Sequence, residues 1–86
     1  MEYFVHDSSI VDENCIIGED TKIEKSVIWD NVNIGGGCKI ENTIICNDCT
    51  IGDNVVLERC TIPAFCEISD DKILRDEEME VGEKIL

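Results

Sequence analysis

Aliphatic residues return every seventeen positions along this chain. Ile17, Ile34, Ile51 and Ile68 form one column, Ile23, Ile40 and Leu57 a second, and Ile28, Ile45 and Ile62 a third. Glycine follows the first column at Gly18, Gly35 and Gly52, and glutamate follows the second at Glu24, Glu41 and Glu58. Small residues keep the same step in Thr21, Cys38 and Val55, in Ser26, Thr43 and Cys60, and in the column of Cys15, Val32, Cys49 and Cys66. So many columns sharing one period make a repeat array in which each unit stacks on its neighbour.

Within a unit the anchors read as steps of six, six and five residues: Ile17, Ile23, Trp29, then Ile34; Ile34, Ile40, Cys46, then Ile51; Ile51, Leu57, Pro63, then Ile68. Each step is too short for a helix that buries a face, and Ile, Val and Thr favour strand. Gly, Asn and Asp cluster after the anchors, as in Ile34-Gly35-Gly36-Gly37 and Ile51-Gly52-Asp53-Asn54, where the chain must turn. The expected fold class is all-β: a parallel β-helix of about four triangular coils, with backbone hydrogen bonds running from coil to coil about 4.8 Å apart. We assign residues 1–68 to this helix. Lys72 falls in the inward column of Thr21, Cys38 and Val55, so the array is expected to end near Ser69, leaving residues 69–86 as an acidic capping or flexible tail.

With the short step placed last, Val27, Ile44 and Thr61 point inward. Their neighbours Ile28, Ile45 and Ile62, with Val11 in the coil above, then point outward, because strand side chains alternate. That makes Val11, Ile28, Ile45 and Ile62 the candidate interaction face, since a contiguous exposed aliphatic stripe marks a docking surface. Trp29 shares a corner column with Cys46 and Pro63, and its direction stays open. The Gly35 and Gly52 column is expected to need positive φ, whereas Gly36 and Gly37 are expected to tolerate replacement.

Composition narrows the function classes. A net charge of −13 with seven Lys and Arg argues against a nucleic-acid surface, which needs clustered cations. No apolar run approaches the roughly 20 residues of a membrane span, and the first residues have no basic signal region, so a cytoplasmic chain is expected. The six cysteines sit in repeat columns that other coils fill with Val, Thr or Ser, which reads as small apolar filling with reduced thiols. Cys46 and Cys49 form one C-x-x-C, but the repeat accounts for both positions and no second pair matches, so no metal and no other cofactor is expected. His6 is the single histidine and reads as incidental rather than as a general base.

The run aliphatic, small or acidic, two polar, small, any, seen in Ile17-Gly18-Glu19-Asp20-Thr21-Lys22 and Ile51-Gly52-Asp53-Asn54-Val55-Val56, resembles the hexapeptide repeat of left-handed parallel β-helices. The string from Ser26 to Gly35 with Cys38-Lys39-Ile40-Glu41-Asn42-Thr43-Ile44-Ile45-Cys46 is similar to the C-terminal domain of sugar-phosphate nucleotidyltransferase-like proteins. Within that group it most resembles the gamma and epsilon subunits of eukaryotic translation initiation factor 2B. Ile44-Ile45-Cys46 and Val56-Leu57-Glu58-Arg59-Cys60 look like gamma, and Trp29-Asp30 looks like epsilon. The resemblance supplies the left hand of the helix. It implies an assembly domain that pairs with another β-helix subunit in a guanine nucleotide exchange factor, without catalysis of its own. The alternative is the oligomerisation domain of a nucleotide-sugar pyrophosphorylase. The nucleotide-binding domain of those proteins has no counterpart here, so the chain reads as one domain of a longer protein.

Overall fold

Three residues in each coil adopt a left-handed backbone, and they recur in three columns seventeen apart. Asp20, Gly37, Asn54 and Asp71 (φ 61, 68, 57 and 64°) form the first; Lys25, Asn42, Arg59 and Asp76 (49, 50, 54 and 56°) the second; Asn31, Asp48, Phe65 and Gly82 (56, 62, 63 and 77°) the third. Nine of these twelve are Asn, Asp or Gly, the residues that tolerate this conformation best. They are the corners of a triangular prism. The computed structural model describes residues 9–86 and the backbone of the strand Phe4–Val5.

Short strands between the corners stack into three parallel sheets. The first contains Phe4–Val5, Lys22–Glu24, Lys39–Glu41, Val56–Glu58 and Ile73–Arg75. The second contains Ile10–Val11, Val27–Ile28, Ile44–Ile45 and Thr61–Ile62, and the third Ile16–Ile17, Asn33–Ile34, Thr50–Ile51, Glu67–Ile68 and Lys84–Ile85. Every pairing is parallel, and all join residues seventeen apart, for example Ile23 with Ile40 and Ile28 with Ile45, except that of Phe4–Val5 with Lys22 and Ile23, which are eighteen apart. The described residues contain no α-helix, and the fold is the all-β parallel β-helix expected from the repeat, with the left hand that the resemblance implied. Its extents are 29 × 22 × 22 Å.

The core is three aliphatic stacks, and one of them overturns the expected register. Ile23, Ile40 and Leu57 line the first sheet from inside, and Ile34, Ile51 and Ile68 the third. On the second sheet the inward residues are Ile28, Ile45 and Ile62, at 1%, 0% and 0% exposure, and Val11 packs partly buried against the same core. The candidate interaction face Val11, Ile28, Ile45 and Ile62 is therefore interior. The short step is the second one, from Ile23 to Ile28, and not the last. Moving it by one side shifts the second sheet by one residue, and a one-residue shift exchanges its two faces. A signal for this lies in the sequence: Ser26, Thr43 and Cys60 are small residues two before Ile28, Ile45 and Ile62, whereas the expected register put the larger Val27 and Ile44 in that slot.

Those small residues bond the coils together. Thr21 Oγ1 donates to the Gly35 carbonyl (2.6 Å), Cys38 Sγ to Gly52 (3.1 Å), Cys49 Sγ to Pro63 (2.9 Å) and Cys66 Sγ to Glu80 (3.1 Å), each fourteen residues onward. In the corner before the second sheet, Ser26 Oγ accepts the Thr43 N–H (3.1 Å) and Thr43 Oγ1 accepts the Cys60 N–H (3.4 Å), while the hydroxyls donate to the Glu24 and Glu41 carbonyls (2.8 Å each). The cysteines are donors to the next coil as well as apolar filling. Replacing Thr43 by Val is expected to orphan a buried N–H and lower stability by about 1–3 kcal/mol in urea unfolding, with Thr43→Ser close to wild type.

The winding also continues past Ser69. Val56–Glu58 pairs with Ile73–Arg75, Thr61 bridges Glu78, and Glu67–Ile68 pairs with Lys84–Ile85. Leu74, Met79 and Ile85 stand seventeen after Leu57, Ile62 and Ile68, and Met79 is 6% exposed. The expected break at Lys72 does not occur: Lys72 is half-buried and its carbonyl accepts the Val56 N–H (2.9 Å). A long amphipathic side chain such as Lys72 can bury its aliphatic stem while its ammonium reaches water.

Candidate interaction face

With Ile28, Ile45 and Ile62 inside, the outward column of the second sheet is Ile10, Val27, Ile44 and Thr61. Ile10 is 67% exposed and Ile44 45%, with Val27 half-buried between them. An aliphatic stripe thus stands on the sheet where the sequence placed one, built from the preceding residue of each strand. Trp29 settles beside it, 53% exposed, at the start of the corner that leads to the third sheet. Ile10, Asp12, Val27, Trp29 and Asp30, with the edge of Ile28, line an open concavity of about 220 Å³.

The corner beyond Trp29 extends the apolar surface. Seventeen residues on stands half-buried Cys46, and the next turn is Pro63-Ala64-Phe65. Phe65 is 60% exposed and occupies a left-handed position (φ 63°) that other coils give to Asn31, Asp48 and Gly82. A bulky aromatic is disfavoured there. The pattern of exposed Trp29, Ile10 and Ile44 was legible as residues but not as a face, because its membership depends on the placement of the short step.

Charges are segregated among the sides of the prism. On the first sheet Lys22 pairs with Glu24 (3.1 Å), Lys39 with Glu41 (3.1 Å) and Glu58 (3.5 Å), and Arg75 with Glu58 (2.6 Å). Arg75 and Lys39 hold the Glu58 carboxyl below the usual carboxylate range. Arg59 grips Asp76 one coil away (2.6 Å). Around the apolar stripe the carboxylates have amide partners instead: Asn14 Nδ2 donates to Asp30 Oδ1 (2.9 Å), and Asn47 Nδ2 to Asp48 Oδ2 (3.0 Å).

Cys49 is fully buried, and burial pushes its thiol up to about 11. Burial raises Cys15, Cys38 and Cys66 as well. The unfolded chain releases these protons near the ordinary thiol value of about 8.5, the folded chain later, so unfolding releases protons in between and stability falls as pH rises through that window. For Cys49 alone the expected loss between about pH 9 and 11 is about 2 kcal/mol, read as a falling urea midpoint. All six cysteines are free in the structure. Among the described residues no three His, Cys, Asp or Glu side chains converge on a metal site, and no helix is long and apolar enough to cross a membrane. His6 lies outside the described residues.

A family profile described as the EIF2B subunit epsilon LbH domain, LbH being the left-handed β-helix, matches residues 2–77. The chain belongs to that family. Among solved structures, a mutant of perosamine N-acetyltransferase from Caulobacter crescentus in complex with CoA and GDP-perosamine matches with a TM-score of 0.65 at 16% identity, over 95% of this chain and 47% of that one. A hexapeptide transferase family protein from Anaplasma phagocytophilum matches with a TM-score of 0.40 at 15% identity, over 95% of this chain and 68% of that one. At these identities the likeness to the acetyltransferase concerns the fold alone, and this chain spans about half that protein's length. No curated protein sequence matches the chain.

Proposed function

We propose that this chain is the assembly domain of an epsilon-type subunit of the translation initiation exchange factor 2B, and that it pairs with another β-helix subunit through Ile10, Val27, Ile44 and Trp29. The observation that carries the reading is an aliphatic stripe with an exposed tryptophan on one side of a β-helix of this family. Exposed contiguous aliphatics with an aromatic anchor are what a protein interface uses at its centre. The domain contributes docking and no chemistry: its one histidine, His6, stands without a second acid–base partner of its kind in the chain. It works in the cytoplasm, where its thiols stay reduced.

The test uses the full chain and the gamma-type β-helix subunit of the same exchange factor in sedimentation velocity. Ile44→Asp, on the outward side, is expected to keep the circular dichroism of the wild type and to weaken the complex at least tenfold. Trp29→Ala is expected to do the same. A complex unchanged by both substitutions overturns the proposed face.

A further inference from the structure

None of the seven Lys and Arg stands in the outward column of the second sheet or on the corner beyond it, and Lys25 and Arg59 flank only the opposite edge of that sheet. Lys22, Lys39 and Arg75 are on the first sheet, Lys25 and Arg59 on the corner between the first and second sheets, Lys72 on the corner leading back to the first, and Lys84 on the last strand of the third. The outward column of the second sheet and the corner beyond it carry Asp12, Glu13, Asp30, Asp48, Glu78 and Glu80 and not one cation. The carboxylates of Asp12 and Asp30 form the polar wall of the concavity beside Trp29. They are held by neighbouring amides: the Asn14 backbone N–H donates to Asp12 Oδ1 (3.1 Å) and Asn14 Nδ2 to Asp30. Among the described residues, no Lys or Arg pairs with either carboxylate.

We propose that this face takes a partner of opposite electrostatics, a protein surface with an aliphatic centre flanked by Lys or Arg, and that it rejects a second copy of this chain. The inference rests on the docking reading above and adds the chemistry of the occupant. Two copies meeting through the same patch set that patch against itself, residue i facing j and j facing i, which brings two acidic rims into one interface in a chain of net charge −13. Like charges facing across an interface select against that pairing, and complementary ones steer the right partner and set its register. A cation that reaches Asp12 or Asp30 also lies close to the Trp29 ring, whose face attracts it.

The chain has one tryptophan, so Trp29 emission reports occupancy of the face directly. The probe is the purified gamma-type β-helix subunit, titrated into the full chain at 0.1 and 1 M NaCl, where screening shortens from about 10 to about 3 Å. The expected result is a blue shift of Trp29 on binding, affinity about tenfold weaker at 1 M, and a loss of most of that salt dependence in the Asp12→Asn, Asp30→Asn double variant. Wild type alone is expected to sediment as a monomer at 0.1 M. Binding that is abolished by Ile44→Asp yet indifferent to salt and to the double variant overturns the charge inference and leaves the docking reading standing. Self-association of the wild type with a blue-shifted Trp29 overturns the rejection of a second copy. Absence of any Trp29 response to the subunit overturns both.

Discussion

Ile45→Glu is expected to leave the chain unfolded at 25 °C, while Ile44→Glu, one residue away, leaves it folded. Ile45 is at 0% exposure between Ile28 above and Ile62 below, whereas Ile44 is 45% exposed on the outward side of the same strand. Truncating a buried isoleucine to alanine already costs about 2–5 kcal/mol. A glutamate adds the desolvation of a carboxylate with no cation in the aliphatic stack, several kcal/mol more or an equivalent forced protonation. A chain of this length has about 4–13 kcal/mol of stability in total, so the substitution exceeds or exhausts it. Far-ultraviolet circular dichroism of the two variants side by side is the measurement. Native spectra for both would mean that Ile45 faces outward as the six, six, five reading had it.

Gly35→Val is the second large effect, and its cause is close approach rather than backbone conformation. Neither Gly35 nor Gly52 has positive φ, which corrects the expectation for that column; the left-handed glycines are Gly37 and Gly82. A Cβ at Gly35 would stand 2.7 Å from the carbonyl carbon and oxygen of Gly52 and press on the Asp53 carboxylate, and one at Gly18 would stand 2.5 Å from the Gly35 carbonyl carbon. The coils have no room to part, since the Gly35 N–H donates to Ile51 (2.9 Å) and the Gly52 N–H to Ile68 (2.8 Å). The expected loss is about 3 kcal/mol or more in urea unfolding, from overpacking against backbone. Gly37→Asn is the contrast: Asn54 holds the same left-handed position one coil below, and the atom in the way is the movable end of the Asn54 side chain, so a loss under about 1 kcal/mol is expected. Equal losses at the two glycines would remove the close-approach explanation. Gly36 is tighter than expected, its added Cβ lying 3.1 Å from the Glu19 carbonyl oxygen.

The repeat period was enough to derive parallel in-register coils, because residues seventeen apart must occupy equivalent environments once one coil lies on the next. The inward roles of Ile23, Ile34, Ile40, Ile51, Leu57 and Ile68 followed, as did those of Thr21, Cys38 and Val55. Lys72 obscures the continuation past Ser69 in the sequence, although Leu74, Met79 and Ile85 keep the seventeen-residue interval. The aliphatic column expected outside, Ile28, Ile45 and Ile62, is interior, and the exposed aliphatics of that sheet are Ile10 and Ile44.

What the sequence by itself determined is the period, the parallel stacking and the three-sided coil, because these depend only on which residues recur and how far apart. What the tertiary structure alone decided is which of two adjacent columns, Val27 with Ile44 or Ile28 with Ile45, faces the core, and why Gly35 must be glycine. Both columns are aliphatic, so hydrophobicity does not separate them. The choice is made by where the five-residue side closes the triangle, and the glycine by how closely one backbone rests on the next.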